Sequence, residues 1–382
     1  MLGRTGTLGG RCRFEVQQYR SLSSPPPPCE VSRLHYPAGS GSRKYRVGQE
    51  VVQMSSGQIN RILKANEYSH TLPRGPASHG VLGFHSNMLP SNYPGEDRRS
   101  SATCLPGCGG VQFGVFDGHA GSACAHAVSQ RLFYYIAVAT LPLKMLAELE
   151  RAVEEERAVP PLLEWHKHPR DHSHPDGGAS SFHSLRNYWQ ERLEDEDDED
   201  EDEDCGRVTS ALINAFRRLD YDLSVEAQVH LSMSSPRRLS LPGEAFSLSS
   251  PLRVALSGCT ACIAHISNGV LHVANLGDSR AVLGVQEPDG CWSAATETHS
   301  SWSGMTLGSR RHLLLERRGR VLSVLEDQNT ATHLLRHALG DDGYGAVAPN
   351  RLAKMLSLPA ELARRYRDDI TITVVHLNEL DL

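Results

Sequence analysis

The segment at residues 113–121, Phe-Gly-Val-Phe-Asp-Gly-His-Ala-Gly, constrains the fold of this chain more than any other stretch. Its first four residues are mostly apolar and predict a buried strand, after which the chain turns sharply at Asp117-Gly118-His119 and a long helical pattern begins. A carboxylate at the end of a rigid strand, beside a glycine whose carbonyl can approach the same ion, suits a hard divalent cation. The neighbouring histidine can move protons. The segment therefore predicts a metal-dependent site at a strand end.

An Asp-Gly pair alone would be a weak signal, because most such pairs are simply turns. Acidic residues also lie at strand ends in three other places, which indicates one site assembled from across a sheet. Metal-assisted hydrolysis is the chemistry that most needs such a site. The three places are Glu96-Asp97 before a predicted strand, the Gly277-Asp278 turn of a hairpin predicted over 271–284, and Asp368-Asp369 at the start of a β-branched strand.

In this order the motifs resemble the metal-dependent protein serine/threonine phosphatases of type 2C. The order is Glu-Asp, then Val-Phe-Asp-Gly-His-Ala-Gly, then Asn-Leu-Gly-Asp-Ser-Arg-Ala, then Arg-Asp-Asp-Ile-Thr. Residues 131–137, 164–169 and 356–363 are similar to the mitochondrial pyruvate dehydrogenase phosphatases in particular. The resemblance covers most of residues 51–295 and 312–377.

The resemblance implies an α/β (α+β) fold of two antiparallel β-sheets sandwiched between layers of helices, here incomplete, with metals at one sheet edge. It implies a Mg²⁺- or Mn²⁺-dependent phosphatase that dephosphorylates, and so activates, the pyruvate dehydrogenase complex. The implied partners are phosphorylated pyruvate dehydrogenase, the lipoyl-bearing core protein of the complex and a regulatory subunit. Calcium dependence of that docking stays open, and neither nucleic acid nor a transmembrane segment is expected.

For the metal centre, the resemblance implies that Asp117 bridges two Mg²⁺ or Mn²⁺ ions. The carbonyl of Gly118 then lies on one ion and the carboxylate of Asp368 on the other. A water bridging two cations loses its proton easily and can attack phosphorus in line. Asp369, by the same pattern, hydrogen-bonds the start of its strand, and Asp278 is favoured as a turn residue over a ligand.

The resemblance also assigns roles around the metals. Glu96 and Asp97 hold metal-bound waters, and His119 is the candidate general acid for the leaving serine oxygen. Many family members place a phosphate-gripping arginine four residues before the Glu of Glu-Asp. Here that position is Asn92, as in the pyruvate dehydrogenase phosphatases.

One family feature is absent from the sequence. The family carries a further metal-binding Asp-Gly, at the end of an apolar strand and followed by tryptophan, between the hairpin and the final Arg-Asp. None of the remaining Asp-Gly pairs, at 176, 289 and 342, follows an apolar strand, and residues 296–311 resemble nothing in the family. A splice variant or an incomplete gene model explains this pattern. The alternative function is therefore a truncated, non-catalytic relative that acts as a binding or regulatory protein.

Several other patterns have simpler explanations than a metal site. Cys259 and Cys262 have zinc-like spacing, but positions three apart on a strand face opposite sides, which favours core packing. The histidines at 166, 168, 172 and 174 lie among proline, glycine and serine, which favours a solvated loop. The run of 11 acidic residues at 194–204 has no glycine-bearing ligand loop, which favours a disordered insert over calcium binding.

Composition and the N-terminus suggest a location. The chain has 382 residues, a net charge of −6 and nine scattered cysteines, as expected for a globular protein in a reducing compartment. Its longest apolar run, at 132–141, is too short to span a bilayer. Before residue 50 the sequence has eight basic residues and two acidic ones, both glutamates. This composition is typical of a mitochondrial transit peptide and of a matrix protein. An ordinary basic tail is the alternative.

These patterns give a domain organisation: residues 1–50 form a transit or disordered segment, and 51–382 a phosphatase domain with an acidic insert at 194–206 and an atypical junction at 296–311. Strand pairs alternating with helix pairs indicate antiparallel sheets covered by helices. Predicted helices run from a Ser56 cap through Leu63 and over 121–140, 143–158, 182–193, 207–226, 326–339 and 351–366; predicted strands cover 101–105, 111–116, 259–266, 271–275, 280–285 and 370–377.

Overall fold

The structure, a computed structural model, describes part of the chain. The chain divides into two units, Met1–Glu50 and Val51–Leu382, and every described residue belongs to the second. The predicted transit segment, Asn92, and most of the acidic insert and of the atypical junction lie outside the described residues. The structure describes residues 54–73, 79–91, 93–105, 109–171, 178–194, 204–233, 249–286, 292–296, 303–306, 327–344 and 346–377.

The regular elements alternate in groups along the chain. The described strands are β1 (Tyr68–Thr71), β2 (Val81–Leu89), β3 (Arg98–Cys104), β4 (Val111–Phe116), β5 (Gly118–His119), β6 (Leu163–Trp165), β7 (Gly258–Cys259), β8 (Ala261–Ser267), β9 (Val270–Leu276), β10 (Val282–Gln286), β11 (Trp292–Thr296), β12 (Ser303–Thr306) and β13 (Ile370–Leu377). The described helices are α1 (Ser56–Leu63), α2 (Ala123–Thr140), α3 (Leu143–Glu154), α4 (Gly178–Glu194), α5 (Asp204–Met233), α6 (Ser250–Ala255), α7 (Thr330–Gly340), α8 (Pro349–Leu356) and α9 (Ala360–Ala363).

Two antiparallel sheets form the centre of the unit. The larger has the strand order β12-β9-β8-β4-β3-β6, and the smaller has the order β1-β2-β13. In the smaller sheet, β13 pairs along β2 from Ile370↔Leu89 onward, so the last strand of the unit joins one of its first. Two short ribbons, β5-β7 and β10-β11, complete the described sheets.

The side chains of β4 point alternately to the two faces of the larger sheet, and each face belongs to a different apolar core. Val111 and Phe113 face the smaller sheet and pack with Phe84 and Val375 between the sheets. Phe116, on the opposite face, packs against the helical layer of α2 to α6. A third core joins α1, α7 and α8 to the outer face of the smaller sheet. The result is helix, sheet, sheet, helix, which confirms the predicted fold class.

The hairpin predicted over 271–284 is wrong. β9 pairs with β8 on one edge and with β12 on the other, whereas β10 pairs with β11 in a separate ribbon. The chain leaves β9 through Gly277, whose positive φ of 112° turns it away from the sheet. The Ser279 hydroxyl then hydrogen-bonds Thr260 Oγ1 at 2.6 Å, which carries the chain toward β7 instead of back along β9.

Other boundaries differ for local reasons. The cap of α1 is Ser55 rather than Ser56, because Ser55 and Gln58 bond each other's backbone N–H in a capping box. The helix predicted over 351–366 is two helices, since Pro359, which lacks an N–H, separates α8 from α9. No prediction covered helix α6 or the strands β1, β2, β5, β6, β11 and β12. In β2 both faces are largely buried, so the residues do not alternate in polarity.

The histidine-rich segment also differs in part from its prediction. His166 is buried rather than solvated: its Nε2 lies 2.8 Å from Thr103 Oγ1, and its ring stacks on His70. Burial, followed by the neighbouring His70, lowers the pKa of His166 to about 4. Cys259 packs toward the helical core and Cys262 lies between the sheets, so core packing of these two cysteines is confirmed.

Of the helices that the structure describes, none alone is long and apolar enough to cross a membrane; α2 and α3, bent by 118° at their junction, meet those criteria only as a pair.

Candidate metal-dependent active site

Asp117 follows β4 directly, and its backbone is fixed from both sides. Its carbonyl accepts a hydrogen bond from the N–H of Thr260 at 2.8 Å, and its N–H donates to Thr260 Oγ1 at 3.2 Å. The preceding Phe116 is buried in the helical core. These contacts hold the half-buried Asp117 carboxylate at the sheet edge. The sequence gives no signal for Thr260 beyond a β-branched polar residue inside the predicted strand 259–266; in the structure it lies between β7 and β8.

Gly118 and His119 pair with β7 in register Gly118↔Cys259 and His119↔Gly258. A Cβ at Gly118 would collide with the carbonyl oxygen of Glu96, so this close approach requires glycine. The His119 ring lies directly over Gly258, where a side chain would collide with its Nε2. His119 is exposed to solvent.

The carboxylate of Glu96 joins two elements of the site. Its Oε1 accepts a hydrogen bond from the N–H of Gly121 at 2.8 Å, just before α2. Its Oε2 forms an ion pair with Arg364, which follows α9 and is about half exposed. Sequence analysis did not single out Arg364, because the contact joins residues that are far apart in the chain.

Asp97 is buried beside several other carboxylates. It accepts a hydrogen bond from Thr371 Oγ1 at 2.6 Å. Burial raises the pKa of Asp97 to about 7, and the charges of Asp369, Asp117 and Asp368 add to this, although the bond from Thr371 opposes it. The structure therefore brings four of the acidic side chains into electrostatic contact.

Asp368 and Asp369 have different environments. Asp369 accepts hydrogen bonds from the N–H and hydroxyl of Ser91 and from the N–H groups of Glu96 and Asp97. Burial alone would raise the pKa of Asp369, but these bonds outweigh it and hold the pKa below its usual value. Asp369 thus ties the start of β13 to Ser91 and to the Glu-Asp loop. Asp368 is exposed, and it accepts the N–H of Asp369 at 2.8 Å.

The donor set fits a divalent cation. Burial raises the pKa of Asp117, and the charges of Asp368 and Asp278 raise it further, with His119 opposing. A cation would relieve this repulsion, and carboxylate and carbonyl oxygens are the ligands that Mg²⁺ and Mn²⁺ prefer. Within the described part of the chain, however, no three His, Cys, Asp or Glu side chains are grouped closely enough to form a complete ligand set.

Comparison with known proteins identifies the family. The protein-family model described as "Protein phosphatase 2C" matches residues 178–302 of this chain. Mitochondrial pyruvate dehydrogenase (acetyl-transferring) phosphatase 1 from Bos taurus is 39% identical over 88% of this chain and 85% of its own length. Mitochondrial pyruvate dehydrogenase (acetyl-transferring) phosphatase 2 from Homo sapiens is 33% identical over 86% of this chain and 84% of its own length. A serine-threonine phosphatase 2C structure from Toxoplasma gondii has 13% identity and a TM-score of 0.36, covering 82% of this chain and 99% of its own.

The fold and the carboxylates of Asp97, Asp117 and Asp368 at one sheet edge define a phosphatase of type 2C. This is a metal-dependent class of protein serine/threonine phosphatases. Within that class, the chain belongs to the family that contains the mitochondrial pyruvate dehydrogenase phosphatases.

The same comparison supports an internal deletion. The alignment with the bovine relative spans 473 positions, whereas the whole chain has 382 residues, so at least 91 aligned positions have no residue of this chain. A gap of this size is expected if a family segment is missing. Its location at 296–311 stays a prediction.

Proposed function

We propose that the site uses two Mg²⁺ or Mn²⁺ ions to remove phosphate from serine residues of pyruvate dehydrogenase in the mitochondrial matrix. The observation that carries the proposal is the convergence of Asp97, Asp117 and Asp368 at one sheet edge, where burial and then the neighbouring carboxylates raise the pKa of Asp97 and of Asp117. Such repulsion between carboxylates favours a bound cation over bound protons at neutral pH. The family relationship supplies the reaction.

The residues of this chain divide the work as follows. The Asp117 carboxylate and the Gly118 carbonyl would hold one cation, and Asp117 and Asp368 would hold the other. When bound, the two cations supply a water of lowered pKa and neutralise charge on the phosphate. Asp369 keeps the Glu96-Asp97 loop in place, where the two carboxylates can accept hydrogen bonds from water.

Two further side chains act on the substrate. His119, exposed above Gly258, is placed to give a proton to the departing serine oxygen. Arg364 stands beside Glu96 on the solvent side, and a guanidinium is a good partner for phosphate oxygens. Asn92, which lies outside the described residues, corresponds by the family resemblance to the phosphate-gripping arginine.

The proposed substrate and partners follow from the names of the relatives, which are phosphatases of pyruvate dehydrogenase. We expect a form of this chain that carries the complete family segment, given Mn²⁺, to release phosphate from phosphorylated pyruvate dehydrogenase faster than from a serine phosphopeptide of unrelated sequence. Docking on the lipoyl-bearing core protein, and a regulatory subunit, belong to the same proposal. Equal rates on both substrates, or release that persists in chelator, would contradict it.

A second function has its own support. The missing aligned positions favour a non-catalytic relative that keeps partner contacts without turning over substrate. Binding to the assembled pyruvate dehydrogenase complex in a pull-down, together with no metal-dependent phosphate release, would favour this function over the first.

The matrix location gives a separate prediction. The relatives are mitochondrial proteins, and residues 1–50 are rich in arginine. We expect residues 1–60 to carry a fluorescent reporter into the matrix and to be shortened there, because arginine-rich segments poor in acidic residues direct import. A matched fusion with Arg4, Arg11, Arg13 and Arg20 changed to glutamine should stay in the cytosol. A diffuse signal from the unmodified fusion would contradict the matrix location.

A further inference from the structure

Two thiols lie together next to the candidate active site, and the phosphatase chemistry uses neither. Cys124 is at the start of α2, and Cys259 ends β7. Their Sγ atoms are 3.6 Å apart, at van der Waals contact, and both side chains are partly buried against the helical core. Among the described residues no disulfide is formed.

Backbone contacts fix both partners of this pair. The N–H of Cys124 donates to Ser257 Oγ at 2.9 Å, which ties the start of α2 to the residue before β7. Cys259 is paired in register with Gly118. The short distance between the sulfurs therefore follows from the fold, and the pair adjoins the loop that presents Asp117 and His119.

We propose that Cys124 and Cys259 are an oxidation-sensitive dithiol that closes to a reversible disulfide beside the active-site loop. A disulfide has a sulfur–sulfur distance of about 2.05 Å, so the sulfurs must approach by roughly 1.5 Å. Rotation of the two thiols and a small shift of the start of α2 can supply that approach. The hydrogen bond with Cys259 lowers the pKa of Cys124, although burial opposes this, and thiolate is the form that reacts with oxidants.

The oxidant is a peroxide, with hydrogen peroxide as the simplest case. The Cys124 sulfur attacks one peroxide oxygen, the O–O bond breaks, and the departing hydroxide leaves as water with the Cys124 proton. The Cys259 sulfur then attacks the resulting sulfenic sulfur, which forms the S–S bond and breaks the S–O bond. The second hydroxide leaves as water with the Cys259 proton. Two thiols lose two electrons in total, and one peroxide is reduced to two waters.

The other described cysteines provide controls. Cys262 lies between the sheets, and burial raises its pKa to about 11. Cys104 is buried and accepts a hydrogen bond from Gln112 Nε2. A fully buried thiol reacts slowly with peroxide. Selective oxidation of the Cys124–Cys259 pair is therefore expected.

The test uses the reduced full-length chain treated with a small molar excess of hydrogen peroxide, alkylated and digested with trypsin without reductant. The expected product is a linked pair of the peptides 100–131 and 254–280, lighter than their sum by two hydrogens and separated by dithiothreitol. Further cleavage after Phe113 or Phe116 separates Cys104 from Cys124. The bridge can therefore be assigned to Cys124 in the chain without any substitution. Fragmentation distinguishes Cys259 from Cys262.

Variants and exchange measurements complete the test. The linked pair should vanish in Cys124→Ser and in Cys259→Ser but persist in Cys262→Ala. Hydrogen exchange of the amides at 117–125 should slow in the oxidised chain and recover on reduction. The proposal is overturned if the folded chain forms no such link, if the link persists in Cys124→Ser, or if oxidation leaves the exchange at 117–125 unchanged.

Discussion

Replacing Asp117 with asparagine should remove nearly all Mg²⁺- or Mn²⁺-dependent phosphatase activity in a form that carries the complete family segment. The amide would occupy the same position, because Thr260 fixes the Asp117 backbone through two hydrogen bonds. It would lack the negative charge that two cations share. Metal activation of water contributes several kcal/mol. The measurement is the initial rate of phosphate release from a phosphoserine peptide at saturating Mn²⁺.

The matched control for Asp117→Asn is Asp342→Asn, which changes another Asp-Gly pair. Asp342 is exposed in a turn and accepts the N–H of Tyr344 at 2.8 Å, a bond that the amide oxygen of asparagine can also accept. This control should keep the parent rate. In chelator, Asp117→Asn should melt no lower than the parent, because burial and Asp368 already disfavour the charged form of Asp117. Retention of more than about a tenth of the rate would contradict a bridging role.

The chain as it stands should be a weak phosphatase or an inactive one, and restoring the family segment should raise its Mn²⁺-dependent rate at least about tenfold, since each 1.4 kcal/mol lost from catalysis is a factor of ten. The reason lies in the ligand count. Asp117 and Asp368 remain, but the carboxylate of the family's further Asp-Gly is missing, and Mg²⁺ sheds its waters reluctantly. No group of three candidate ligands is present in the residues that the structure describes.

The measurement compares the two forms on one phosphoserine peptide, with Mn²⁺ and with chelator. The restored form carrying Asp117→Asn is the control, and it should fall to the level of the unrestored chain. Within the described residues, β10 and β11 pair only with each other, and two-stranded ribbons are marginally stable and prone to edge pairing. Equal metal-dependent turnover in both forms would show that the missing aspartate matters little.

Local pattern was enough to predict some parts of the fold. The apolar run before Asp117 predicts β4 with its observed bounds. The strands predicted over 259–266 and 271–275 correspond to β8 and β9, which are joined at Asn268-Gly269, where both residues have positive φ. The final strand also has its predicted bounds. In each case the residues that decide the structure are neighbours in sequence.

The errors involve contacts between distant segments. A hairpin over 271–284 is locally reasonable, but β12 occupies the free edge of β9. In the site, the carboxylate positions are visible in the sequence, whereas their partners are not. Thr260 lies 143 residues from Asp117, and Arg364 lies 268 residues from Glu96. Thr260 meets Asp117 because β4 pairs with β8 and β5 with β7, and no sequence period reports such long-range pairing.

Asp369 accepts hydrogen bonds from Ser91, Glu96 and Asp97, and β13 pairs with β2. These contacts join the last described strand of the phosphatase unit to a segment near its start. β9 is held in the larger sheet and α7 packs on the smaller one, so the stretch between them connects fixed endpoints. Loop-closure entropy changes only slowly with the length of such a connection. A change of many residues there can therefore leave the architecture intact while altering the chemistry at the sheet edge.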